Sequence, residues 1–369
     1  MSSLLTTEIC VVGAGPAGLR AAIACRDMGA HVTLVDSGAH LGGQLVKQTH
    51  KFFGSRGQFA GMRGIDIARL LSNEIMNDPL VDVLCDSQVV GFYSDGTLAI
   101  EKDNRLIFLK PERVICATGA SERMLSFPNN DLPGVYGAGA AQTLMNLYGV
   151  RPGNAVLMIG AGNIGLIVSY QLLQAGVPVV AVIEAMPHVG GYDVHARKIQ
   201  RAGIPILTSH TIRAAYGTQV VEGAAVCGLD SEFRPVFDSL RYFEVDTICL
   251  AVGLTPLTEL LWQADCQMAY VPELGGYTPL RDENYETTRP GLFVAGDLAG
   301  IEEASSAMIE GTVAGLSAAK SLGYVTDDSE EKLNRAKAEL EALRQGPTGA
   351  KVRQGVAKIM TFGEGDEDN

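Results

Sequence analysis

Positive charge is scarce in this sequence: 29 lysines and arginines face 42 aspartates and glutamates, leaving a net charge of −13. A nucleic-acid binder carries a basic footprint, so that class is excluded. Long apolar runs are missing too, and none approaches the roughly 20 residues of a membrane helix. The opening Met1–Glu8 has no charged-then-apolar signal pattern, so the expectation is a soluble cytoplasmic protein without a transmembrane segment. The seven cysteines (Cys10, Cys25, Cys85, Cys116, Cys227, Cys249 and Cys266) include no Cys-x-x-Cys pair. Several sit in apolar strand-like runs such as Val114–Ala117 and Thr247–Val252, and they read as small buried hydrophobes. The six histidines show no metal-ligand spacing, so no metal site is expected.

Glycine, by contrast, is plentiful, with 43 residues. It is costly in regular structure, so such enrichment signals tight turns and places where backbone approaches a ligand. At 369 residues and 47% apolar composition the chain can bury two cores. The start reads strand, turn, helix, strand: Glu8–Val12, Gly13–Gly18, Leu19–Met28, and His31–Val35 ending at Asp36. Ile65, Ala68, Leu71 and Ile75 lie on one face of a helix over Arg63–Asn77. Short β runs from Ser87 to Leu109, broken at Asp95-Gly96 and Asp103-Asn104, predict a small antiparallel meander feeding a strand at Arg113–Ala117.

The opening arrangement then recurs, with strand Ala155–Ile159, glycine turn Gly160–Gly165, helix Ile164–Ala175 and strand Val177–Ile183 ending at Glu184. A third cluster, Gly291–Asp297, is a strand ending in an acid ahead of a small-residue helix, Ala304–Lys320. The expected fold is α/β, with two Rossmann-like dinucleotide-binding domains. The second domain, 121–245, is inserted into a discontinuous first domain, 1–120 and 246–325, which also carries the meander. In the tail, 326–369, Ser329 is the expected N-cap of a helix with Glu330 and Glu331 at its positive end. Leu333, Ala336, Leu340 and Leu343 give that helix an apolar stripe expected to pack within its own subunit, with contact to a partner as the alternative. Glu364–Asn369 is expected to be disordered.

Gly13-Ala14-Gly15-Pro16-Ala17-Gly18 sits between a strand and a helix, where its mechanism requires it. Gly13 makes the turn, Gly15 admits a pyrophosphate and Gly18 lets helix pack on strand. The helix N-terminus points its N–H groups at the phosphates, and Asp36, eighteen residues after Gly18, can accept ribose hydroxyls. Gly160-Ala161-Gly162-Asn163-Ile164-Gly165 repeats the pattern, with Glu184 nineteen residues beyond and Gly253 after the strand-like run 247–252. Two fingerprints mean two dinucleotides, or one and a site that has changed its ligand. Glu184 would repel a 2′-phosphate, so the second site is expected to take NAD(H), with ATP or no nucleotide as alternatives.

Ala117-Thr118-Gly119 and Val294-Ala295-Gly296-Asp297, each at a strand end, resemble stretches shared by flavin reductases of the thioredoxin reductase and glutathione reductase class. The resemblance implies FAD at the first site, with Asp297 on the ribityl chain and backbone near Thr118 and Gly119 passing close to the flavin. Gly42-Gly43-Gln44-Leu45 resembles the thioredoxin reductase stretch that lies along the flavin. Asp131-Leu132-Pro133-Gly134-Val135-Tyr136 and the run Gly139–Val150 are similar to nucleotide-binding subunits of bacterial heteromeric amine and imino-acid dehydrogenases. Those include sarcosine oxidase, opine oxidase, hydroxyproline dehydrogenase and hydrogen cyanide synthase. This likeness implies an electron-relay role beside a second flavin-bearing subunit that oxidises substrate. Several such subunits carry a cysteine-rich iron–sulfur module, but no cysteine follows Cys266, so any such centre is expected on another polypeptide, a small iron–sulfur protein.

Disulfide reductases of the class place a Cys-x-x-Cys pair beside the flavin. None exists here, so thioredoxin reductase activity is not expected. No catalytic acid or base stands out; His50 and Lys51 are the only candidates near the flavin edge, and two solvated loop residues is their alternative reading. Glu302 and Glu303 are expected to cap the helix that follows. The expected function is the FAD/NAD(H) subunit of a multi-subunit amine or imino-acid dehydrogenase. Its rivals are a free-standing NADH-dependent reductase serving ferredoxin or a quinone, and a non-catalytic nucleotide-binding regulatory subunit. Removing residues 327–369 is expected to leave flavin binding intact.

Overall fold

The computed structural model describes residues 4–52, 56–347 and 349–360. The Glu364–Asn369 stretch lies outside them. Two compact units emerge, one formed by Met1–Ser121 with Thr255–Asn369 and the other by Glu122–Leu254. The chain crosses between them at two short strands, β7 (Ala120–Glu122) and β16 (Leu254–Pro256).

The first unit is built on a sheet of order β3-β2-β1-β6-β5-β4, with β19 also on β6. Its strands are β1 (Leu4–Val12), β2 (Val32–Val35), β3 (Val81–Leu84), β4 (Ser87–Phe92), β5 (Leu98–Lys102), β6 (Arg105–Cys116) and β19 (Leu292–Val294). β1, β2, β3, β6 and β19 run parallel, and helices cover them, so Ile9, Cys10, Val32, Leu34 and Val294 form a continuous apolar interior. The expected meander is present, but Arg113–Ala117 is not a separate strand. β6 runs unbroken from Arg105, pairing antiparallel with β5 through Leu109 and parallel with β19 from Val114. Pro111, which has no N–H to donate, falls where one partner ends and the other begins.

Helix α1 (Pro16–Asp27) starts with proline in its first turn, where a missing N–H costs nothing. α7 (Ala304–Ser321) crosses it so closely that a Cβ on Gly311 would sit 2.0 Å from the Ala17 carbonyl oxygen. α2 (Gly64–Ile75) buries Ile67, Ala68, Leu71 and Ile75. The unit also contains α6 (Glu259–Gln263), the hairpin β17 (Met268–Val271) and β18 (Gly276–Pro279), and α9 (Ala350–Val356). The tail helix α8 (Ser329–Leu343) packs on α7 with Leu333, Ala336 and Leu340 buried. Ser329 does not cap it: its hydroxyl donates to the Thr326 carbonyl, and Asp328 is the residue before the first turn.

The second unit carries a five-stranded parallel sheet of order β11-β10-β9-β15-β8. Its strands are β8 (Val135–Gly137), β9 (Val156–Ile159), β10 (Val179–Ile183), β11 (Ile206–Leu207) and β15 (Thr247–Leu250). Helices α3 (Ala138–Asn146), α4 (Asn163–Gln174) and α5 (Asp193–Arg201) belong to it. Residues 247–250, placed by sequence in the first domain, are instead strand β15 between β9 and β8, since all four pair along β9. A three-stranded antiparallel sheet, β12 (His210–Tyr216), β13 (Gly223–Leu229) and β14 (Pro235–Phe243), adds a layer the sequence reading did not anticipate.

Candidate functional site

Parallel strands put their carboxyl ends along one edge, where ligands of open α/β sheets bind. In the first unit β1 ends at Val12 and the chain turns at Gly13, whose φ of +100° suits glycine. The Gly13 N–H donates to the Val35 carbonyl at 2.8 Å. A Cβ on Gly13 would meet the Ala117 oxygen at 2.4 Å, and one on Gly18 the Gly13 oxygen at 1.7 Å. Those two glycines are demanded by the fold itself. Gly15 is different: a Cβ there meets nothing within 4 Å. Its backbone is ordinary extended chain at φ −72°, so no internal reason requires glycine. The open space lies at the N-terminus of α1, where unpaired N–H groups and the helix dipole attract anions.

The same geometry recurs in the second unit. Gly160 turns at φ +105° and donates to the Ile183 carbonyl at 2.7 Å. Its Cβ would lie 2.2 Å from the Ala251 oxygen, and that of Gly165 2.0 Å from the Gly160 oxygen. Gly162 again has nothing within 4 Å, at the start of α4.

Both strand-end acids do a job not expected from sequence. Asp36 accepts the Ala14 N–H at 2.5 Å and the Gly38 N–H at 2.7 Å. Glu184, buried, accepts the Ala161 N–H at 2.8 Å and the Met186 N–H at 2.9 Å. Each carboxylate locks its own glycine loop while keeping lone pairs for a further donor. Asn163 turns its side-chain oxygen to the Tyr192 N–H at 2.8 Å, Ile164 is exposed, and Gly253 stands beyond β15 at φ +120°.

Around the first loop the structure gathers the other expected residues of that unit. The Gly42 N–H donates to the Ala14 carbonyl, and Gly43 lies so close that its Cβ would meet Gly15 Cα at 2.7 Å; Gln44 follows, exposed. Ala117 donates to the Val12 carbonyl, the Thr118 hydroxyl donates to the Leu257 carbonyl, and Gly119 has open space around it. Gly296 packs against Ala17, and Pro16 and Ala17 form the first turn of α1. Asp297 follows Gly296; burial pushes its carboxyl up to about 7, against a backbone N–H from Glu302 and with Glu310 and Glu302 adding to the rise.

The His50 ring stacks on Phe52 with centroids 5.7 Å apart, and Lys51 is exposed with its backbone bridged to Arg63. Glu302 does not cap α7; its carboxylate pairs with Arg344, at 2.5 Å to Nη2. Glu303 precedes α7 without a side-chain capping bond to it. The sequence reading also missed a buried set behind Asp297. Glu310 accepts the Gly296 N–H at 2.8 Å, the Tyr285 hydroxyl at 2.8 Å and Arg344 Nη2 at 2.5 Å. Its one sequence signal was an acid inside a helix that, before Lys320 in its last turn, is otherwise built of small and apolar residues. All seven cysteines are free thiols.

A mixed sheet with a parallel core and a fully parallel sheet, each carrying a glycine loop and a strand-end acid at its carboxyl edge, define the two-domain, Rossmann-like architecture of thioredoxin reductase-like flavoproteins. The chain belongs to the pyridine nucleotide-disulphide oxidoreductase family, whose model matches residues 7–311. The family is flavin-dependent and implies FAD with a nicotinamide-type dinucleotide. Among curated relatives, an opine oxidase subunit from Agrobacterium tumefaciens (strain Ach5) is 27% identical over 86% of this chain and 66% of its own length. The alpha subunit of sarcosine oxidase from Rhizobium meliloti (strain 1021) is 32% identical over 69% of this chain and 25% of its own. The chain thus spans less than two thirds of these relatives. Thioredoxin reductase of T. acidophilum superposes with a TM-score of 0.70 at 21% identity, covering 86% of this chain and 99% of that one. Among the described residues no helix is long and apolar enough to cross a membrane.

Proposed function

We propose that the chain is the FAD- and NAD(H)-binding electron-relay subunit of a multi-subunit amine or imino-acid oxidase or dehydrogenase. One observation carries the reading. Gly15 and Gly162, each between glycines that the fold already requires, open a cradle at a helix N-terminus that a Cβ would fill, which suits the close approach of a phosphate-bearing ligand. The flanking residues fit the two nucleotides.

At the first cradle Gly15 and the α1 N-terminus receive the FAD pyrophosphate, Asp36 the adenosine ribose, and Asp297 the ribityl chain. Gly43, Thr118 and Gly119 supply backbone close to the ring. At the second, Gly162, Asn163 and the α4 N-terminus take the pyrophosphate of NAD(H). Glu184 accepts a ribose hydroxyl and repels a 2′-phosphate, which disfavours NADP(H). Bound FAD supplies reversible two-electron transfer with a nicotinamide, chemistry that requires orientation and exclusion of water more than an acid or base from the protein. The relatives named as oxidase subunits support a multi-subunit assembly; the partner in this reading is a subunit that oxidises the substrate with its own flavin, with a small iron–sulfur protein as a further partner.

The test is anaerobic titration of the purified chain with NADH and with NADPH, following flavin absorbance near ~450 nm, with bound cofactors identified by mass spectrometry. Bleaching by NADH at lower concentration than NADPH is the expected result. A flavin that stays oxidised refutes the relay and leaves the second site a nucleotide-binding module without turnover.

A further inference from the structure

The tail helix ends in a residue that reaches the first nucleotide site. Arg344 stands at the C-terminus of α8 and is almost buried, with 12% of its side chain exposed. Its Nη2 lies 2.5 Å from Glu302 Oε1 and 2.5 Å from Glu310 Oε1, and 3.2 Å from the Tyr285 hydroxyl oxygen; its Nε lies 3.0 Å from Glu302 Oε1. Glu302 and Glu310 are 7% and 2% exposed. One guanidinium therefore serves two buried carboxylates.

Both carboxylate-bearing residues also hold the turn that carries Asp297. The second oxygen of Glu310 accepts the N–H of Gly296, and the N–H of Glu302 faces Asp297 Oδ1 at 3.4 Å. The groups facing Glu310 are Arg344 from the end of α8, Glu302 from the loop before α7, and Tyr285 and Arg281 from the segment before β19. Arg281 adds a second cation, stacked 3.8 Å over the Tyr285 ring. With both arginines in place, the charges of Glu302 and Glu310 are matched, and Asp297 is left as the one unmatched acid of the group. Burial opposes the charge of Arg344, yet Glu310, Tyr285 and Glu302 outweigh it and hold its pKa above the ordinary arginine value.

We infer that Arg344 is a positioning residue of the FAD site, neutralising Glu302 and Glu310 so that the Gly296–Asp297 turn is held in register for the ribityl chain. The inference rests on the FAD reading above. An uncompensated carboxylate pair beside Asp297 must take up a proton or separate, and either change moves the Gly296 N–H or the Asp297 carboxylate. The tail is thus a built-in part of the nucleotide site, which reverses the expectation that FAD binding survives its removal.

The test compares the whole chain with R344M, R344K and the double variant R344M/E302Q, measuring FAD dissociation constants between pH 6 and 9 alongside melting. R344M is expected to weaken FAD by on the order of tenfold or more at pH 8 and by less at pH 6, where proton uptake relieves the pair. R344K is expected to lie between, and R344M/E302Q to return to within about threefold of the unaltered chain, since it removes the acid whose cation is Arg344 and leaves Glu310 facing Arg281. R344M that melts normally and binds FAD with unchanged affinity and pH profile overturns the inference. Should R344M fail to fold, R344M/E302Q decides: folded with FAD bound it supports neutralisation, and folded without FAD, or failing to fold as well, it overturns it. Failure of the FAD reading looks different, since the unaltered chain would then hold no FAD at any pH.

Discussion

Replacing Glu184 separates a structural duty from a selective one. Its two oxygens accept the Ala161 and Met186 N–H groups at 2.8 and 2.9 Å, within a residue only 9% exposed. Hydrogen bonds to a charged acceptor contribute roughly 1.5–3 kcal/mol each. Glu184→Ala deletes both, and water admitted by the smaller side chain recovers part of the loss, so the cost to the second unit is about 3 kcal/mol. Glu184→Gln keeps one acceptor oxygen and sets its NH₂ against the other N–H, for about 2 kcal/mol. Both variants also remove the charge that disfavours a 2′-phosphate. A change of ~1.4 kcal/mol in that preference is tenfold in relative affinity, and the NADH-over-NADPH preference of Glu184→Gln is expected to fall by at least that factor. Calorimetric melting reads the first effect and anaerobic flavin bleaching by each nucleotide the second. Lower stability with an unchanged preference would make Glu184 a loop lock alone. If neither quantity moves, Glu184 neither locks the loop nor selects the nucleotide.

Gly15→Ala is expected to leave melting of the FAD-free chain within about 1 kcal/mol, because its Cβ meets nothing, while lowering FAD affinity. Gly18→Ala, driven 1.7 Å from the Gly13 oxygen, is expected to cost several kcal/mol of fold; equal melting of the two variants would refute the distinction. Asp297 holds its proton up to about 7 in the fold against 3.8 in the unfolded chain, so it withdraws stability as pH rises between those values and no further above them. At about 1.4 kcal/mol per unit the loss is about 4 kcal/mol, and Asp297→Asn should abolish this part of the pH dependence in FAD-free protein; parallel stability curves for the two proteins would contradict it. Truncation at 327 removes buried Leu333 and Leu340, about 2–3 kcal/mol each, as well as Arg344, and soluble, FAD-binding truncated protein would refute the role given to α8.

Much of both sites could be read from sequence because their demands are local. Gly13 and Gly160 answer to backbone torsion, Gly18 and Gly165 to contact with a residue five positions earlier, and Asp36 and Glu184 to the end of the next strand. The apolar stripe of α8 was legible for the same reason, since Leu333, Ala336 and Leu340 share one helical face. What escaped depends on partners far apart in sequence. Arg344 and Glu310 are 34 residues apart and Tyr285 and Glu310 are 25 apart, and no periodicity links them. The boundary at β15 escaped because an apolar run such as Thr247–Leu250 suits a central strand of either sheet. β6 was divided in the reading because a strand that exchanges one partner for another along its length leaves no mark except Pro111.

The cysteines also equip the protein with its own gauge of breathing. Burial pushes the thiols of Cys10 and Cys249 up to about 12 and those of Cys25 and Cys116 further, so in the closed chain none offers a thiolate to an alkylating reagent. Cys85 alone among the seven is not buried. Labelling beyond that one site therefore counts moments when a core is open. Because Cys10, Cys25 and Cys116 report on one unit and Cys249 on the other, mass spectrometry of a single alkylated sample ranks the opening of the two halves without any engineered probe.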